Sequence, residues 1–139
     1  MVNIIQRVID RLDEIFPEST IELGNQKQGV KLPCFFVYLI NSELKRQFDN
    51  RFFLNNTISI SYASLEGDLY ELEDVRFRLL TGMEQIKGIT GENLKATIVD
   101  KDIVMTVDYN VWIEKVNEEV LMKYLKQQGG VNNGRKQIQ

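Results

Sequence analysis

Apolar residues at the start of the chain recur at helical spacing. Val2, Ile5, Val8, Ile9, Leu12 and Phe16 form one stripe, and Pro17 closes it, which predicts a helix ending at the proline. Thr20 to Leu23 reads as a short strand suited to a sheet edge, followed by a polar turn from Gly24 to Gly29. Gly29 to Ile40 is then apolar on both faces, the pattern of a strand buried from both sides. From Phe52 the period changes to two. Phe52, Leu54, Ile58, Ile60 and Tyr62 fall on one face, and Thr57, Ser59 and Ser61 on the other. Between these strands Asn41 to Asn50 is too polar for a core and too long for a tight turn, so it predicts a charged arm held out from the sheet.

The second half repeats the alternation of periods. Asp68-Leu69-Tyr70-Glu71 has the form of a capping box, an acceptor at a helix start with a glutamate three residues on. Leu69, Leu72, Val75, Leu79, Met83 and Ile86 supply the stripe of that helix, with Gly88 as its stop. A hairpin follows. Leu94, Ala96 and Ile98 alternate into Asp100-Lys101-Asp102, and Ile103, Met105, Val107, Tyr109, Val111 and Ile113 alternate out. Asn117 can cap a last helix to about Leu125.

The order α-β-β-β-α-β-β-α, with strands in runs, predicts a single α+β domain over 1–126. Its sheet would be mainly antiparallel or mixed, with the helices packed on one face because each carries a single apolar stripe. The opposite face presents Thr57, Ser59, Ser61, Thr106, Asp108 and Asn110, polar enough to meet water or a neighbouring subunit. Residues 127–139 lack the apolar area to pack, which predicts a flexible polar tail.

Composition narrows function mostly by subtraction. The chain of 139 residues contains no histidine, which removes Ser-His-Asp and Cys-His catalysis and the commonest metal ligand. Its one cysteine, Cys34, lies in an apolar strand after Pro33 and is expected to be a buried structural thiol. Asp100, Asp102 and Asp108 are not followed by the alternating oxygen ligands and closing glutamate of a calcium loop. Gly129 and Gly134 have the spacing of a phosphate loop, but Arg135 and Lys136 replace its lysine and hydroxyl. Gly88-Ile89-Thr90-Gly91 resembles an RNA clamp loop only in spelling, because it joins a helix to a strand without basic surroundings. No catalytic, cofactor or metal site is therefore expected. A net charge of −3 does not suit a dedicated nucleic-acid binder, no apolar run is long enough to span a bilayer, and a cytoplasmic product without a leader is expected.

The arm remains as the candidate site. Lys45, Arg46, Phe48, Arg51 and Phe53 interleave cations with aromatics. Such a pattern suits a solvated hairpin tip, a single-strand nucleic-acid contact or a subunit contact, and Glu43 and Asp49 dilute it for the second. These five residues are taken as subunit-interface candidates, since arginine and aromatic side chains are the usual anchors of protein interfaces.

Three segments resemble the phage tail terminator proteins of Gram-positive tailed phages and prophages. They are the helix Asn3 to Pro17, the run Gln28-Gly29-Val30-Lys31-Leu32-Pro33-Cys34-Phe35-Phe36-Val37, and Ile58-Ser59-Ile60-Ser61-Tyr62. The resemblance implies a structural virion protein that is not an enzyme and needs no cofactor. It implies a ring, usually hexameric, that caps the tail tube, stops its polymerisation and offers a face to the head–tail connector protein. Its partners would be its own copies, the tail tube protein and the connector, with DNA passing through the ring without specific recognition. It would be found in the host cytoplasm during assembly and at the head–tail junction of the virion. Another neck or head–tail joining component, or a small adaptor unrelated to virions, fits the residues as alternatives.

Overall fold

The computed structural model describes residues 3–24, 29–46 and 51–114. Helix α1 spans Ile4–Ile15, and its N-cap Asn3 accepts the backbone N–H of Gln6 at 3.1 Å. The chain continues through β1 (Thr20–Leu23), β2 (Cys34–Arg46) and β3 (Arg51–Ala63) to helix α2 (Leu69–Gly82). It ends, among the described residues, in β4 (Gln85–Ile86), β5 (Ile89–Val99) and β6 (Asp102–Glu114). The strands form one six-stranded sheet in the order β1-β2-β3-β6-β5-β4. Only the edge strand β1 is parallel to its neighbour, so the sheet is mixed and mainly antiparallel, as the α+β pattern implies.

Both helices lie on one face. Ile4, Val8 and Leu12 of α1 and Leu72, Val75 and Leu79 of α2 pack in one cluster with Phe35, Val37, Ile58, Ile60, Ile103, Met105 and Val107 from the sheet. The helices are tied to each other through main-chain carbonyls. Arg11 donates Nε to the carbonyl of Gly82 at 2.9 Å, and Arg78 donates Nη2 to the carbonyl of Ile15 at 2.6 Å. Gly82 permits this approach, because a Cβ there would lie 2.5 Å from Ile15 Cδ1.

Several sequence expectations change. The stripe through Met83 and Ile86 is not one helix: α2 stops at Gly82, Met83 is its C-cap, and Ile86 belongs to β4. Lys87 and Gly88 both have positive φ, 39° and 86°, the backbone of a tight hairpin turn that joins β4 to β5. Ile86 is still fully buried, so the periodicity identified a core residue while misassigning its element. The capping box is half formed. Asp68 accepts the N–H of Glu71 at 3.2 Å, but the Glu71 carboxylate accepts the Tyr62 hydroxyl.

The polar arm is largely strand. β2 runs on to Arg46, and Asn41 to Arg46 pair in register with Phe52 to Thr57. Backbone pairing needs no apolar side chain, so polarity hid a strand that β3 could template. A register shift between Leu39 and Asn41 bypasses Ile40 and reverses the alternation of β2. Leu39 faces the helix side before the shift, and Ser42, Leu44 and Arg46 do so after it. Residues 47–50, the expected last helix and the expected tail lie outside the described residues.

The face opposite the helices is not uniformly open. Near the start of β2, Cys34, Phe36 and Ala63 are buried beneath Val30 and Leu32 of the loop before the strand. Ser59 is also buried, and Thr57, Ser61, Thr106, Asp108 and Asn110 are half-buried. The largest exposed aromatic on this face lies toward the far end of the β2–β3 hairpin, and Val104 is exposed at the other end.

Candidate functional site

Register decides what the hairpin end presents. Lys45 pairs with Phe53, and Phe53 pairs with Trp112, so these three side chains form a row across β2, β3 and β6 on the open face. The Phe53 and Trp112 rings lie 4.7 Å apart at 57°. The guanidinium of Arg51 sits 5.2 Å from the centre of the Trp112 ring. Trp112 is 54% exposed, a large aromatic surface for a side chain with no helix above it.

Arg46 takes the other side. It pairs with Phe52, and its guanidinium lies 5.3 Å from the centre of that ring on the helix-side face. Phe52 is only 7% exposed, so Arg46 covers an aromatic that is already packed. Of the five sequence candidates, Lys45, Arg51 and Phe53 converge on the open face, Arg46 lies across the sheet from them, and Phe48 falls outside the described residues. None of Lys45, Arg46 and Arg51 is ion-paired among the described residues.

Trp112 was missed as a site residue although its signal was present. It sits out of phase with Val107, Tyr109 and Val111, so the alternation that buries those residues must turn Trp112 to the opposite face.

Next to the aromatic row the open face is held by a polar lattice. Thr57 donates Oγ1 to Asp108 Oδ1 at 2.7 Å, and Asn93 donates Nδ2 to Asp108 Oδ2 at 2.9 Å. Asn110 donates Nδ2 to Glu92 Oε1 at 3.1 Å. On the helix side Ser42 donates to Asn56 Oδ1 at 2.7 Å, and buried Asn56 donates to the Tyr109 carbonyl at 3.3 Å. These bonds satisfy polar groups along the long strands, buried Asn110 Oδ1 excepted, and stiffen the sheet next to the exposed aromatics. Both carboxylate oxygens of Asp108 are thus occupied by neutral donors, and among the described residues no group of three His, Cys, Asp or Glu side chains converges to hold a metal ion.

A second feature lies at the opposite end of the sheet. A cleft of about 440 Å³ opens between the turn after α1 and the first turns of α2, lined in part by Phe16, Glu18, Tyr62, Glu71, Asp74 and Arg78. Arg78 lies 4.4 Å from the centre of the Phe16 ring and 3.5 Å from Asp74 Oδ2. Tyr62 donates its hydroxyl to Glu71 Oε2 at 2.5 Å. Burial and the Glu71 carboxylate push the Tyr62 phenol well above its ordinary range. The phenol that Glu71 accepts from is held neutral, so the cleft's groups suit binding rather than nucleophilic attack.

No match was found among curated proteins. A family model of phage tail terminator proteins matches residues 3–120, a span that includes both helices, all six strands, the aromatic row and the cleft. The chain belongs to the phage tail terminator family, whose members are structural proteins of the virion tail rather than enzymes.

Proposed function

We propose that this chain closes into a ring, six copies in number, on the last ring of the tail tube, stops its polymerisation there, and presents its other face to the head connector. Such a task needs no catalysis. It needs a head-to-tail interface between copies whose rotation closes, and two different ring faces. The observation that carries the reading is the row Lys45, Phe53, Trp112 with Arg51 above it, an exposed aromatic and cationic anchor on a stiff sheet in a chain of the terminator family. Anchors of this composition supply most of the energy of protein interfaces, about 2 kcal/mol or more each when truncated.

The test is a tube-length assay with the tail tube protein polymerising in vitro. Wild-type chain added in excess halts growth and is found at tube ends as a closed oligomer by electron microscopy and native mass spectrometry. Phe48→Ala combined with Arg51→Glu gives overlong tubes, while its circular dichroism matches wild type. Unchanged tube lengths with the wild-type chain present sink the capping role.

A further inference from the structure

The described residues hold unpaired charge of opposite sign at the two ends of one sheet. Lys45, Arg46 and Arg51 stand at the hairpin end with no carboxylate partner. In the cleft, Glu18 and Glu71 have no cation partner, and Asp74 shares the single guanidinium of Arg78. Tyr62 of the cleft and Arg51 of the hairpin end lie on the same strand, β3, about 36 Å apart at about 3.3 Å per residue. The cleft's own chemistry shows what it accepts. It already holds one guanidinium, Arg78, by a ring face, a main-chain carbonyl and a carboxylate. Its volume is at the small end of the roughly 300–1,000 Å³ typical of ligand pockets, which suits side chains rather than a docked helix or strand.

We propose that this cleft receives the cationic side chains of the hairpin end of the next copy of the chain, so that Arg51 and Lys45 of one subunit meet Glu18 and Glu71 of its neighbour. The inference rests on the ring reading above and specifies its second surface. Complementary patches at opposite ends of a subunit form a heterologous contact, the kind that propagates and closes by rotation, whereas a patch that matched itself would give a two-fold dimer. Carboxylates at the mouth repel nucleic acid and phosphate groups. They favour a cation, and the hairpin end supplies Lys45 and Arg51, neither ion-paired among the described residues. Charge complementarity of this kind sets register and partner choice at interfaces.

Two variants separate the surfaces: Lys45→Glu with Arg51→Glu reverses the hairpin end, and Glu18→Lys with Glu71→Gln reverses the cleft. Each alone weakens self-association about tenfold or more by light scattering, with circular dichroism unchanged. Mixed, they assemble with the two variants alternating, because wild-type hairpin meets wild-type cleft at one contact and reversed hairpin meets reversed cleft at the next. A chain carrying both sets assembles again. Disulfide trapping reads the contact even if rings close only on the tube. In a Cys34→Ala background, a Glu18→Cys chain mixed with an Arg51→Cys chain gives a cross-linked dimer, and neither chain alone does. Assembly that depends on the hairpin variant but not on the cleft variant overturns the inference while leaving the ring reading intact. Equal cross-linking in the mixture and in the separate chains also overturns it, as does loss of tube binding by the cleft variant with normal self-association, which assigns the cleft to the tube protein.

Discussion

The indole of Trp112 lies against the ring of Phe53, centroids 4.7 Å apart, on the face of the sheet that neither helix covers. Phe53 is held by strand pairing on both sides of β3, and Trp112 by its pairing with Phe53, so the pair is ordered before any partner arrives. A preordered aromatic surface loses little conformational entropy on binding, and this favours its use as an anchor. Trp112→Ala should weaken self-association by about 2 kcal/mol or more. The monomer should lose only about 0.5–1.5 kcal/mol, the worth of an aromatic pair. Sedimentation equilibrium against urea melts of the monomer distinguishes the two effects. A larger loss of stability than of association would make Trp112 a packing residue.

Tyr109 joins the sheet to the end of α2. Its hydroxyl donates to the Met83 carbonyl at 2.5 Å, and the ring is fully buried against Gly91. Tyr109→Phe keeps the ring but leaves a helix-terminal carbonyl without its donor, at an expected cost of about 1–3 kcal/mol. Gly91→Ala should be comparably harmful, because a Cβ there would lie 2.9 Å from both Tyr109 Cε1 and Val107 Cγ2. Chemical denaturation of the two variants checks both values. Wild-type stability for Gly91→Ala would mean that β5 can shift away from β6.

Core positions were the legible part of this chain. Ile58, Ile60, Val107 and Tyr109 follow from alternation alone, since a one-residue slip would turn each of them to the wrong face, and Phe35 follows from its continuous apolar run. The hairpin extension was not legible as strand, because Asn41 to Arg46 contribute backbone pairing and no buried apolar side chain. Ile86 shows the complementary failure: spacing on a helical stripe also fits a residue that reaches the same core from a two-residue strand. Lys45, Arg51 and Phe53 were readable as a set from their types, but the register shift near Ile40 places Lys45 on the face of Phe53 and Arg46 on the other. The cleft was invisible in sequence, because Glu18, Tyr62, Glu71 and Arg78 come together only through packing of α2 against the turn after α1.

Cys34 is fully buried under Val30 and Leu32, and burial, with a smaller contribution from Glu22, pushes its thiol above the ordinary range. Both effects suppress the reactive thiolate. Native protein should therefore react with thiol reagents far more slowly than urea-unfolded protein at the same pH. Cys34→Val, which keeps an apolar group of similar size, should cost less than about 1.5 kcal/mol and leave self-association unchanged. Labelling of the folded chain at the unfolded rate would show that the loop above Cys34 opens freely.

Alkaline stability should report the cleft. Neutral phenol is favoured for Tyr62 in the folded state by burial, by its hydrogen bond to Glu71 and by the charge of that carboxylate. In the unfolded chain the same phenol ionises near about pH 10. Its folded pKa is raised, so the unfolded state loses its proton first as pH increases. Stability from this group is fully present below about pH 10 and declines above it, toward the higher folded value. Tyr109, raised by burial and only partly offset by Arg11, adds a second contribution of the same sign. Urea melts at pH 8 to 11 should therefore show falling stability with a slope that shrinks in Tyr62→Phe and shrinks less in Glu71→Gln, which removes the carboxylate charge but keeps the burial. A wild-type slope in Tyr62→Phe would mean that the phenol reaches solvent through the cleft and that Glu71 is not held by it. In that case a cation entering the cleft would find both oxygens of Glu71 free, and the Glu71→Gln variant should weaken self-association more than Glu18→Lys does.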